Sequence, residues 1–302
     1  MNASTPPPGP GRARTRSRAA LLLALPLLAG AAAGASHAPE PTDEPCLRLE
    51  TDEGAILLRL SRAAAPRAVE AIERLARGPI WNLDLLPRPE AARSAGYFEG
   101  LAFDYARPHL ELRLPARAPE AAFTVEAELD AVALGLDRQR VADVGEATER
   151  LQQELLPALQ RPGAERASTP RLEEWRRRFE EGGYDASFLV GKSRQELLEA
   201  IGFTYRAGLA SLAPTRGAVA LVPVSPTEAR LSLSILLADH PARTGKWVVV
   251  GRVVGGLEIA EAISLRPYAE AARRDFRPAA PALVRSANLL AECASAPEGG
   301  TP

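Results

Sequence analysis

The sequence predicts a mainly β fold with a few helices, interrupted by an inserted, mostly helical module. Three observations predict it. Apolar and polar residues alternate from Cys46 to Leu60, the pattern of half-buried strands, and strand-like runs return between Ala218 and Leu290. Between them, residues 115–215 change character, with leucines at helical spacing broken by proline, glycine and serine. The 302 residues are 46% hydrophobic and 25% charged, which is apolar enough to bury a core and rules out wholesale disorder.

The elements follow in order. Leu47, Leu49 and Thr51 alternate with Arg48 and Glu50, Asp52-Glu53-Gly54 is a turn signal, and Ala55–Leu60 is a second strand, so the first two strands form a hairpin. Pro66 opens a helix at its first turn, where a missing N–H costs nothing, and Val69, Ile72, Leu75 and Ala76 line one face before Gly78 stops it. Gly96-Tyr97-Phe98-Glu99-Gly100 is a turn leading into one strand-like stretch, Leu101–Leu114. Within the insertion, Phe123–Val125 is strand-like, and Leu151, Leu155, Leu156 and Leu159 have helical spacing. Gln160–Pro170 reads as a linker. Ser168 or Thr169 caps a helix Arg171–Glu181 that ends at Gly182-Gly183, and Ser193 with Glu196 has capping-box spacing for a short helix to Ile201. Strands Ala218–Val222, Leu231–Leu237 and Trp247–Val254, a helix Leu257–Ser264 and a strand Ala282–Leu290 complete the order.

The first 35 residues read as an address. Arg12, Arg14, Arg16 and Arg18 precede the uncharged run Ala19–Ala35, which ends in Ala33-Gly34-Ala35, the pattern of a secretory signal peptide. The rival, an uncleaved anchor, needs about 20 apolar residues, and this run carries Pro26, Gly30 and Gly34. Residues 36–45 then form a polar leader and 294–302 a loose tail. Cleavage leaves 33 basic against 38 acidic residues, a soluble chain for the periplasm or exterior with no membrane span. No basic surplus points to nucleic acid. Three histidines and two cysteines are too few for a Cys/His zinc cluster, and no metal or cofactor is expected. Cys46 and Cys293 would meet an oxidising compartment, and the count alone permits one bridge or two buried thiols.

Four local matches carry a resemblance. Gly54-Ala-Ile-Leu-Leu-Arg-Leu60 with Ala65-Pro66-Arg-Ala-Val69-Glu70, and Gly96-Tyr-Phe-Glu-Gly-Leu-Ala-Phe103, are two of them. The gap-free run Gly217–Ile235 and the stretch Gly245-Lys-Trp-Val-Val-Val-Gly251-Arg-Val-Val-Gly-Gly256 are the others. Together they resemble the cyclophilin-type peptidyl-prolyl isomerase family. The resemblance covers residues 46–114 and 216–293 and implies a closed eight-stranded antiparallel barrel capped by two helices, with 115–215 inserted. It also implies that the first and last strands pair antiparallel, which brings Cys46 beside Cys293 as a disulfide.

The resemblance also places the groove, and there this sequence departs from the family. Pro108 fixes the register, so Tyr105 stands at the catalytic arginine position, after Phe103. Leu110 stands at the pocket phenylalanine, Glu111 at the methionine and Arg113 at the glutamine. Ser232 and Ser234 replace another glutamine and phenylalanine, and Pro223 replaces an asparagine that holds the peptide. Arg243 and Trp247 stand at a pocket leucine and a histidine, and Ala242 at the tryptophan that binds cyclosporin-type macrocycles, so no such binding is expected. None of the family's principal catalytic or proline-pocket side chains is retained. Glu111 needs a partner if buried, and Arg113, two residues along the same strand face, is positioned to supply one. Arg113 and Arg107 are the candidate substitutes for the missing guanidinium; a solvated surface arginine is the plainer reading of Arg107. His109 and His240 have acid/base chemistry by type alone and read as loop or surface residues. Trp175 among Arg176, Arg177 and Arg178 reads as one face of an amphipathic helix rather than a base-stacking site.

The resulting expectation is an exported prolyl-peptide- or protein-binding or folding-assistance module with weak or lost isomerase activity and proline-containing protein clients. The alternatives are an active isomerase with a groove rebuilt around Arg113 or Arg107, and a structural envelope component.

Overall fold

Strand alternation builds the first hairpin: β1 (Cys46–Thr51) pairs antiparallel with β2 (Ala55–Leu60), turning Leu47, Leu49, Ile56, Leu58 and Leu60 into the core. The computed structural model describes residues 44–78, 96–117, 123–160, 169–268 and 275–293. The signal peptide expected over 1–35, leader residues 36–43, linker residues 161–168 and the tail 294–302 lie outside the described residues.

Helix α1 (Pro66–Arg77) buries Ala68, Val69, Ile72 and Leu75 as its spacing requires. It has no side-chain cap of its own. Glu128, some sixty residues on, accepts hydrogen bonds from the Arg67 and Ala68 amides at 3.1 and 2.9 Å, which places a carboxylate at the positive end of the helix.

The stretch expected as one strand over Leu101–Leu114 is instead a hairpin, β3 (Tyr105–Arg107) and β4 (Glu111–Leu114). Its turn has a local cause. Pro108 offers no N–H, His109 takes a φ of 55°, and the Leu110 amide closes the turn on the Arg107 carbonyl at 3.0 Å.

The segment 115–215 begins with a strand, β5 (Thr124–Glu126), that pairs with β7 of the sheet. Its helices are α2 (Val144–Arg150), a π-helical turn Leu151–Leu155, α3 (Leu156–Leu159), α4 (Pro170–Glu181) and α5 (Arg194–Ala200). Thr169 caps α4 by accepting from the Leu172 amide at 3.1 Å, and Ser193 and Glu196 form the capping box of α5. Then come β6 (Ala218–Ser225), β7 (Glu228–Leu236), β8 (Val249–Gly255), α6 (Leu257–Ser264) and β9 (Val284–Leu290).

The strands form one antiparallel sheet in the order β3-β4-β7-β6-β8-β2-β1-β9, with β5 on β7 off this path. It curls as a half-barrel. Segments just before its two end strands bond to each other: Ala102 bridges Leu283, and the Phe103 amide donates to the Ala282 carbonyl at 2.9 Å. Helix α1 packs against β5 and β9, and α6 against β2, β3 and β4. Cys46 and Cys293 form a disulfide with Cα atoms 5.2 Å apart, Cys293 lying three residues beyond the end of β9. One hydrophobic cluster runs from the inner face of the sheet through α1 into the segment 115–215, where Leu129, Leu136, Leu151 and Leu198 belong to it. A second, small cluster of Ala218, Ala220, Leu236 and Val249 lies on the opposite face of the sheet, against Leu212 and Trp247. Among the described residues no helix is long and apolar enough to cross a membrane.

Candidate functional site

On β4, Leu112 and Leu114 enter the core, so Glu111 and Arg113 project from the opposite face. There Arg113 sits opposite Ser234 of β7 and opposite Tyr105 of β3. The pairing register thus places three residues from three strands side by side.

Glu111 is the centre of the arrangement. Its side chain is 1% exposed, and both carboxylate oxygens are used. Oε1 accepts from Ser234 Oγ at 2.6 Å and from Arg113 Nη2 at 2.8 Å, and Oε2 accepts from Arg243 Nη2 at 2.6 Å. Burial by itself raises the carboxyl pKa. The hydrogen bonds from Ser234 and Arg113, with the charges of Arg113 and Arg243, outweigh it and hold Glu111 below the ordinary carboxylate value.

Each guanidinium is backed by a ring. Arg113 lies 4.4 Å over the centroid of Tyr105, and Arg243 lies 4.0 Å over Trp247. Arg243 is delivered by a single 3-10 turn, Pro241–Arg243, after which the Trp247 amide bonds back to the Arg243 carbonyl at 3.1 Å. Beyond Tyr105 the aromatic edge continues. Phe276 meets Tyr105 edge-on at 5.5 Å, Tyr268 meets Phe276 at 6.0 Å, and Arg107 lies 5.4 Å from the Phe276 centroid.

The structure therefore brings together Tyr105, Glu111, Arg113, Ser234, Arg243 and Trp247. Phe103 does not join them: it is fully buried in the main core. Pro223 lies opposite Ala229, three residues farther along β6 than Ala220, the partner of Ser234. Ser232 is buried with its hydroxyl donated to the Leu114 carbonyl at 3.0 Å. Leu110 is half-buried in the β3–β4 turn, its carbonyl 3.1 Å from His240 Nε2. A carbonyl can only accept, so that nitrogen carries the proton. His109 is exposed and Trp175 is buried, edge-on to Phe188 at 6.3 Å.

A second buried carboxylate meets the same loop through Lys246. Glu154 Oε1 takes Arg194 Nη1 at 2.6 Å, Arg150 Nη1 at 3.5 Å and Lys246 Nζ at 3.5 Å. Burial lowers the Lys246 pKa despite that partner. Between Arg243 and Lys246, the Gly245 carbonyl accepts from Tyr205 Oη at 2.9 Å. Gly245 has φ +78°, a conformation that favours glycine, and a Cβ there would sit 2.5 Å from Leu136 Cδ1, so the segment 115–215 packs closely on this loop. Sequence reasoning missed these contacts because partners 40 or more residues apart leave no local signature. The run Gly245-Lys246-Trp247, with one of only two lysines in the chain, was the available signal.

Chemically, the outer-face cluster holds two guanidiniums and one carboxylate, a net positive charge, without a nucleophile-and-base pair. No protein-family model and no curated protein matches the chain. Among solved structures, the chain is similar to the cyclophilin AquaCyp293 from Hirschia baltica, at 14% identity, with a TM-score of 0.42, over 84% of this chain and 76% of that one.

Proposed function

We propose that the protein is an exported prolyl-peptide- or protein-binding module, a folding assistant on a cyclophilin-like closed barrel, with peptidyl-prolyl isomerase activity weak or lost. The signal peptide is 1–35, the barrel comprises 46–114 and 216–293, and 115–215 is its insertion. The observation that carries the reading is the Glu111 cluster. It occupies the place to which the sequence resemblance assigns the isomerase arginine and proline pocket, and it replaces an apolar pocket by a buried carboxylate with its arginines.

The physical argument runs through the barrier. Rotation about an amide bond crosses about 18–20 kcal/mol, and lowering it takes a pre-aimed donor in a dry pocket. Tyr105 is no such donor. Arg113 and Arg243 already bind Glu111, and Arg107 is exposed and stacked on Phe276. A floor of carboxylate and hydroxyl gives a proline ring little apolar area. Half-buried Tyr105, Trp247 and Phe276 still offer aromatic faces of the kind that hold extended prolyl segments. The acid-free, arginine-bearing start and the Cys46–Cys293 disulfide support export.

A chymotrypsin-coupled proline-peptide assay on residues 36–302 tests the reading. The expected rate is the uncatalysed one, unchanged by Arg113→Ala or Arg107→Ala. A rate above background that either substitution abolishes would instead establish an active isomerase with a rebuilt groove.

A further inference from the structure

We propose that this groove selects acidic prolyl segments, with an aspartate or glutamate immediately before the proline. The inference rests on the prolyl-peptide reading above and adds the chemistry of the residue recognised beside the ring.

The charge of the cluster is arranged by depth. The one carboxylate is 1% exposed, whereas the side chains of Arg113 and Arg243 are 25% and 21% exposed. Negative charge is inside and positive charge faces the solvent. Two cations on one anion leave one positive charge uncompensated, and partial burial makes it count for more than on an open surface. The donors also exceed the acceptors: Arg243 Nη1 is buried and has no hydrogen-bond partner among the described residues. Stacking fixes the two guanidinium planes on Tyr105 and Trp247, with Arg113 Nη2 and Nε turned to Glu111 and Ser234 and Arg243 Nη2 to Glu111. The partly exposed guanidiniums present their surplus charge to a carboxylate. Asp239 accepts from the Arg216 amide at 2.8 Å, and Glu261 is ion-paired with Arg216. Exposed Arg107, on the adjoining strand, adds to the positive field.

The test is calorimetric titration of the purified protein with four peptides that differ at two positions: Ala-Glu-Pro-Phe, Ala-Ala-Pro-Phe, Ala-Glu-Ala-Phe and Ala-Ala-Ala-Phe, with blocked ends. The expected order puts Glu-Pro about tenfold tighter than Ala-Pro, the worth of one charge-assisted hydrogen bond. That ratio should shrink in high salt. Equal affinity for Glu-Pro and Ala-Pro overturns the acidic preference and leaves the prolyl reading standing. Equal affinity for Glu-Pro and Glu-Ala does the reverse, and binding of none overturns both. Two variants separate charge from mere structure. Arg243→Gln should abolish the preference. Glu111→Gln should increase it, because the hidden carboxylate then no longer offsets the cations; a fall in preference in that variant would overturn the proposal, even if Arg243→Gln does not fold.

Discussion

Glu111 and Glu154 are both buried carboxylates that gather arginines, yet they are built for different work. Around Glu154 one cation is sealed in, Arg194 at 6% exposed, while Arg150 and Lys246 reach partly into solvent; all three crowd onto Oε1, and Oε2 has no hydrogen-bond partner among the described residues. Around Glu111 both oxygens are used, and the cations lean outward over aromatic rings. A carboxylate bonded to a sealed-in arginine serves as a structural tie. One whose partners face solvent leaves charge for something else to meet. The loop Arg243–Trp247 joins the two, with Arg243 on Glu111 of the sheet and Lys246 on Glu154 of the segment 115–215.

The largest effect should come from breaking the sealed tie. Glu154→Leu leaves Arg194 and Lys246 charged with no opposite charge at hand, and losing one partner of a buried pair costs about 3–5 kcal/mol. Glu111→Leu should cost less, about 1–3 kcal/mol, because Arg113 and Arg243 can turn to water. Urea unfolding of both variants checks the order. Equal costs, or a larger one at Glu111, would break the comparison.

The two sites should also titrate at opposite ends of the pH scale. Glu111 has a folded pKa below its unfolded value, so its stabilisation is complete above the unfolded carboxylate range. It is lost as pH falls through the folded value. The stability difference between the wild type and Glu111→Gln should therefore be flat near neutrality and shrink in acid. Lys246 has a folded pKa lowered by burial, so the fold disfavours its charged form. Stability should rise as pH climbs from the folded value towards the unfolded one, about 10.4, and Lys246→Met should remove that rise. Denaturation midpoints across the pH range measure both. An alkaline rise that survives Lys246→Met would assign it to another group.

What could be read from the sequence depended on distance along the chain. The β1–β2 hairpin, the proline-opened α1 and the Ser193–Glu196 capping box are written within a few residues, and each forms. The Glu111–Arg113 pair was legible for the same reason, two residues apart on one strand face. Leu101–Leu114 looked like one strand because apolar alternation runs across Pro108, while the turn depends on a positive φ at His109 that composition does not announce. Glu128 capping α1 and Arg243 reaching Glu111 are set only when the sheet curls, so no local pattern predicts them. Counting two cysteines left a bridge and free thiols equally open; the pairing of β1 with β9 decides it.

The smallest effect tests whether the segment 115–215 steadies the loop that carries Arg243. Tyr205→Phe removes one hydroxyl and its bond to the Gly245 carbonyl while leaving the ring in place. A single neutral hydrogen bond contributes about 0.5–1.5 kcal/mol, so global stability should hardly move. The local consequence should be larger than the global one. The amides of Lys246 and Trp247 bond to the Arg243 carbonyl, and these close the loop that aims Arg243 at Glu111. Freeing Gly245 lets that turn open more often, which hydrogen exchange reads as faster labelling of residues 243–247. Leu172→Ala, a core change in α4 away from this loop, is the control: it should lower stability without selectively speeding those amides. If Tyr205→Phe leaves exchange at 243–247 unaltered, the turn holds Arg243 by itself, and the segment 115–215 does not steady it through this bond.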